Sequence, residues 1–161
     1  MADLKKLYES LGFESVIPYI QSGNVIFKSD KKDIQKLSLV LEKAIETQYG
    51  FHVPVCIRSA VELKTILLKM PFNKVTLAED GSRVLFTFCS LPPAEQRMQD
   101  VQSYVKSTEK MVLQGHTIFL HCPNGYGKSK LSNAFLERKL GILATTRNWK
   151  TVTRLCELSA I

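Results

Sequence analysis

Arg83–His121 reads RVLFTFCSLPPAEQRMQDVQSYVKSTEKMVLQGHTIFLH, and its order of periodicities decides the fold class. Arg83–Cys89 is a continuous apolar run with β-branched and aromatic residues, the pattern of a buried strand. Pro92 and Pro93 then open a helix, because a proline near the first helical position loses only an amide that has no intrahelical partner. Met98, Val101 and Val105 give that helix one apolar face. Met111–Leu113 and Thr117–His121 follow as two short strands across Gln114-Gly115-His116, a hairpin signal. Strand, helix and hairpin in this order give an α+β class.

Toward the C-terminus, a loop spans Pro123–Ser129, and a helix is expected from about Lys130 to Leu140 with Gly141 as its stop. A last helix is expected from about Asn148 to Leu158, with Trp149, Val152 and Leu155 inward. Toward the N-terminus, residues 71–82 are polar enough to connect two halves. The first half offers a helix carrying Leu4, Leu7, Tyr8 and Leu11, and strands at Ser15–Ile20 and Asn24–Lys28. A long helix carrying Ile34, Leu37, Leu41 and Ile45 follows, ending at Gly50. Pro18 places its strand at an edge or a bulge. Val53–Arg58 is expected as a further strand, followed by a helix with Leu63, Ile66 and Leu67. The expected layout is a first subdomain at residues 1–70, a connection at 71–82 and a second subdomain at 83–161.

The segments YIQSGNVIF (Tyr19–Phe27), NGYGKSKLSNAFLERKLG (Asn124–Gly141) and ATTRNWKTVTRL (Ala144–Leu155) resemble the bacterial domain-of-unknown-function family sixteen-ninety-seven. The resemblance implies two joined ferredoxin-like subdomains and brings no activity with it. It also implies that relatives open with a further strand and a glycine-rich stretch, ahead of the helix at which this chain starts. The first ferredoxin-like subdomain is therefore expected to miss its N-terminal strand, which leaves a gap open to self-association.

The whole chain has 161 residues and a formal net charge of +7. Residues 121–161 hold seven Lys or Arg against Glu137 and Glu157, a net of +5, which suits either an anionic partner at that end or a solvated basic face. No apolar run reaches the ~20 residues of a membrane helix, and the first residues do not read as a secretory leader. A cytoplasmic protein without a membrane partner is the expectation. Cys56, Cys89, Cys122 and Cys156 form no C-x-x-C pair, and His52, His116 and His121 have no metal-ligand spacing. No metal or other cofactor is expected, and no carboxylate stands out as a general base.

The candidate site is the glycine-rich loop. Gly125, Gly127, Lys128, Ser129 and Lys130 sit between a strand and a helix, a context that suits a phosphate. The loop is not a Walker A sequence, because Cys122 stands where the first glycine belongs. Arg147, Asn148 and Lys150 open the last helix and would add charge if the two helix starts converge. Gln21, Ser22 and Asn24 are secondary candidates at the first hairpin. These residues favour a ligand-binding protein for a phosphorylated or anionic small molecule. A nucleic-acid-binding module using the basic end and an interaction module pairing through a sheet edge are the alternatives. Among strand residues 23–27 only Phe27 is aromatic, too little for base stacking on an open sheet.

Overall fold

The computed structural model describes residues 2–19 and 23–160. It is an α+β protein whose contacts divide it into two compact units, residues 1–60 with 155–161, and residues 61–154.

In the first unit, α1 (Ala2–Ser10) leads into the antiparallel hairpin of β1 (Glu14–Tyr19) and β2 (Asn24–Lys28), and α2 (Ile34–Tyr49) follows. Pro18 pairs with Val25 in regular register on a strand of a two-stranded sheet, the edge position an internal proline requires, and a separate register shift lies between Glu14 and Ile17. Asp33 caps α2 by accepting the Lys36 N–H at 3.1 Å, and Gly50 ends it in the left-handed conformation. Tyr8, Phe13, Val16, Leu37 and Leu41 form the core of this unit.

Val53–Arg58 does not form the expected strand, and no ladder includes it. Its burial still alternates: Val53, Val55 and Ile57 are half-buried while Pro54 and Cys56 are exposed. Val55 and Ile57 pack on the same cluster as Val25 and Phe27. The Val55 N–H donates to Glu42 Oε1 at 2.9 Å, so a side chain takes the place of a neighbouring strand.

The second unit is built on a four-stranded antiparallel sheet. Its strands are β3 (Val84–Cys89), β4 (Lys110–Gln114), β5 (Thr117–His121) and β6 (Ala144–Asn148), in the order β4-β5-β3-β6. With α5 (Glu95–Gln102) after β3 and α6 (Asn133–Leu140) after β5, the connections follow the split β-α-β-β-α-β pattern. The sixth strand lies between the two expected C-terminal helices, where the sequence pattern predicts no strand, and it takes in Asn148, the expected start of the last helix. Its residues, ATTRN, are polar and lack the apolar alternation that announces a strand, yet all five pair with β3.

Both faces of this sheet are covered. Leu85, Cys89, Ile118 and Leu120 meet Val101 of α5 and Leu136 and Leu140 of α6. On the other face Val84, Phe86, Phe88 and Phe119 meet Phe72, Leu63, Ile66 and Leu67 of α3 (Ala60–Leu68), and Trp149 and Val152 of α7 (Trp149–Ser159). All six residues of β3 are buried as a result. Each such apolar side chain contributes roughly 1.5–3 kcal/mol. This packing joins α3 and residues 71–82 to the second unit rather than leaving them outside it. The connection also holds a short helix, α4 (Leu77–Asp80).

Candidate functional site

The loop after β5 is shaped by its own backbone bonds. The Gly125 N–H donates to Cys122 O at 2.9 Å, that of Lys128 to Gly125 O at 3.3 Å, and that of Ser129 to Tyr126 O at 3.0 Å. Gly125 has φ +100°, a conformation that a side chain would strain. Tyr126–Lys128 makes a single 3-10 turn. The amides of Gly125, Lys128 and Ser129 are thus engaged within the loop rather than turned to an anion. Helix α6 starts at Asn133 rather than near Lys130, because Ser132 is its cap and accepts the Phe135 N–H at 3.2 Å. The turn between α5 and β4 braces the loop from outside, with Lys106 Nζ donating to Lys128 O at 2.7 Å.

Arg147, Asn148 and Lys150 are not brought to this loop. The loop runs onto the sheet face covered by α6, where Tyr126 packs, whereas α7 packs on the opposite face. Arg147 lies opposite Phe86 in the β3–β6 register, on the α7 face, and its guanidinium donates to Thr145 Oγ1 at 2.8 Å and Thr146 O at 2.9 Å. Asn148 accepts the Thr151 N–H at 2.9 Å and caps α7. The Lys150 N–H donates to Gly81 O at 3.1 Å, and its aliphatic stem covers Gly81, where an added Cβ would collide with it. Among the secondary candidates, Gln21 and Ser22 lie outside the described residues. Asn24 Nδ2 donates to Tyr19 O at 3.3 Å within the first hairpin.

A polar chain links the loop's surroundings beneath α6. Thr87 and Thr146 share a hydroxyl hydrogen bond of 2.8 Å across β3 and β6. Thr146 donates to Asn133 Oδ1 at 2.9 Å, and Asn133 Nδ2 donates to Glu137 Oε1 at 2.8 Å and Ala144 O at 3.0 Å. The Tyr126 hydroxyl is sealed from solvent without a hydrogen bond of good geometry. Burial raises its pKa, and the nearby Thr146 hydroxyl opposes that rise. Cys122, wholly buried, has its thiol pushed up to about 11, chiefly by burial, and is held protonated and inert. Asn133 and Thr146 therefore tie α6 to β6, and the Tyr126 ring packs the loop against the same core.

What the loop does help to form is an open cleft of about 430 Å³ lined by Tyr104, Ser129, Lys130, Ser132, Ala134, Phe135 and Arg138. Two cations and two serine hydroxyls share it with an aromatic pair, and no carboxylate lines it. Tyr104 and Phe135 meet edge to face at 5.0 Å. Lys139 Nζ sits 4.9 Å from the Tyr104 ring centre and donates to its hydroxyl at 3.2 Å, and the Arg138 guanidinium carbon lies 5.7 Å from the Phe135 centre. Among the described residues neither Lys130 nor Arg138 is ion-paired. Sequence reasoning reached Ser129 and Lys130. It missed Tyr104, Phe135 and Arg138, whose spacing along the chain carries no sign of their meeting. Among the described residues no group of three or more His, Cys, Asp or Glu is placed to hold a metal, and no helix is long and apolar enough to cross a membrane.

No curated protein matches the chain in sequence. A solved structure of a conserved bacterial protein from Streptococcus pneumoniae shares its fold with a TM-score of 0.73 at 24% identity, covering 99% of this chain and 88% of that one. The sequence model of one family, described as a protein of unknown function (DUF1697), matches residues 1–119. The match ends before the Asn124–Gly141 and Ala144–Leu155 segments, but it spans most of the sequence, and the chain belongs to that family.

Proposed function

We propose that this protein binds a phosphorylated or otherwise anionic small molecule in the cleft between Tyr104 and the start of α6. The observation that carries this reading is the pairing of Lys130 and Arg138, two exposed cations without carboxylate partners, at one concave site. Lysine supplies a point charge, and arginine a planar fork that fits two phosphate oxygens. Ser132 uses its oxygen as a helix cap, which leaves its hydroxyl proton to donate to a ligand. The glycine loop contributes Ser129 and Lys130 to the cleft, with Gly125, Gly127 and Lys128 setting its course. Arg147, Asn148 and Lys150 have no part in the binding.

The test is an amide-resolved NMR titration of the full chain with inorganic phosphate and pyrophosphate. Amides of Lys130, Phe135 and Arg138 are expected to move together, and those of Arg147 and Lys150 to stay. Lys130→Ala and Arg138→Ala should each weaken the response about tenfold, the scale of one charge-assisted contact. Unmoved cleft amides would overturn the reading.

A further inference from the structure

Resting on the anion-binding reading, we infer that the ligand carries a flat aromatic ring beside its phosphate, in the manner of a nucleoside monophosphate. The cleft has two chemically different walls. Lys130, Ser132 and Arg138 make a cationic, hydrogen-bonding wall, and Tyr104 and Phe135 make an aromatic one. An inorganic anion uses only the first. The volume of about 430 Å³ lies in the range of small-molecule sites and leaves room for a ring as well as a phosphate.

The aromatic wall is fixed before any ligand arrives. Phe135 rides on α6, its ring held edge to face against Tyr104, and Tyr104 is anchored through its hydroxyl to Lys139. Arg138 lies one helical turn beyond Ala134 and has its guanidinium near the Phe135 ring. A ring plane and a guanidinium plane are both surfaces on which a nucleobase stacks. No Asn, Gln, Asp or Glu lines the cleft, and its Lys, Arg and Ser donors are shared with the phosphate, so no donor–acceptor pair is set aside to read one base edge. The site should therefore accept purine and pyrimidine monophosphates with similar affinity.

The experiment compares AMP, CMP, ribose 5-phosphate, inorganic phosphate and a ten-residue single-stranded oligonucleotide by calorimetric titration of the full chain. AMP and CMP are expected to bind roughly 5- to 100-fold more tightly than ribose 5-phosphate, the fold-change of one base–aromatic stack. Arg138→Lys keeps the charge and loses the plane. It loses the bidentate phosphate fork together with the stacking plane, so it should lower AMP affinity more than it lowers that of ribose 5-phosphate, and its exposed position on α6 leaves the fold intact. Phe135→Leu should erase the AMP advantage as well, with an unchanged amide spectrum elsewhere. Phosphate and ribose 5-phosphate binding as tightly as AMP would overturn the aromatic inference and leave the anion-binding reading standing. An absence of binding by all five would overturn both. An oligonucleotide binding far more tightly than AMP, with a steep loss in salt, would overturn the small-molecule form in favour of a nucleic-acid interface.

Discussion

His121 Nε2 lies 3.3 Å from Asp80 Oδ1, and both side chains are only 15% exposed. The pair ties the short helix α4 to the end of β5, one residue before Cys122. The other Asp80 oxygen accepts the Thr76 N–H at 3.2 Å. Phe72 lies against the imidazole with ring centres 5.8 Å apart, Lys110 is its cross-strand neighbour, and Arg83 adds positive charge near Asp80.

These contacts set the direction of a pH effect. The Thr76 N–H first, and then His121 and Arg83, hold the Asp80 carboxyl below its ordinary value. A depressed folded-state pKa contributes stability above the unfolded value of about 3.9, and that contribution is lost as pH falls through the folded value. The wild-type chain should lose stability on acidification through this window, and Asp80→Asn should flatten that part of the profile. Thermal melts of both proteins between about pH 2 and 5 check it. Parallel profiles would remove Asp80 from the acid response.

Gly125→Ala tests the loop. With φ at +100°, an alanine is strained whatever the space around it. The expected loss is about 1–3 kcal/mol, read from denaturant midpoints. Gly127→Ala, at a position of negative φ with open space around the added methyl, should change stability little. Equal losses at the two positions would show that the backbone conformation is not the cause.

Sequence pattern made most elements legible, and the exceptions share a physical reason. Val53–Arg58 has the residue types of a strand, but a strand also needs a partner, and partnership is a long-range property. β6 fails in the opposite way. Thr145, Thr146 and Arg147 look like a turn in isolation, yet β3 supplies the ladder that makes them a strand. The cleft was half legible. A glycine-rich basic loop draws attention in any sequence, whereas Tyr104 and Arg138 become neighbours only once α5 and α6 pack on one sheet face. Helix ends were read well where glycine decides them, at Gly50 and Gly141.

Glu42 provides a test of the unpaired segment. Its carboxylate accepts the Val55 N–H, so Glu42→Ala leaves a half-buried amide without an acceptor. The expected cost is about 1–3 kcal/mol in the first unit. Hydrogen exchange should show the Val55 amide losing protection in the variant while β3 amides keep theirs. An unprotected Val55 amide in the wild type would contradict the bond.

The polar chain beneath α6 makes the strongest stability prediction. Thr146 both shares a hydrogen bond with Thr87 and donates to Asn133 Oδ1, and Thr87 is fully buried. Thr146→Val keeps the shape and β-branching that suit β6, so the strand itself should persist. What it removes is the hydroxyl, leaving Thr87 Oγ1 and one lone pair of Asn133 unsatisfied in a low-dielectric interior. A buried unpaired polar group costs about 1–3 kcal/mol, whereas removing both partners together is nearly neutral. The double variant Thr87→Val with Thr146→Val should therefore recover part of the loss, a non-additivity expected of residues in one network. Thermal melts of the wild type, both single variants and the double variant form the complete cycle. Losses that simply add would mean that the two hydroxyls act independently, and the chain would then be a set of separate contacts rather than the tie between β3, β6 and α6.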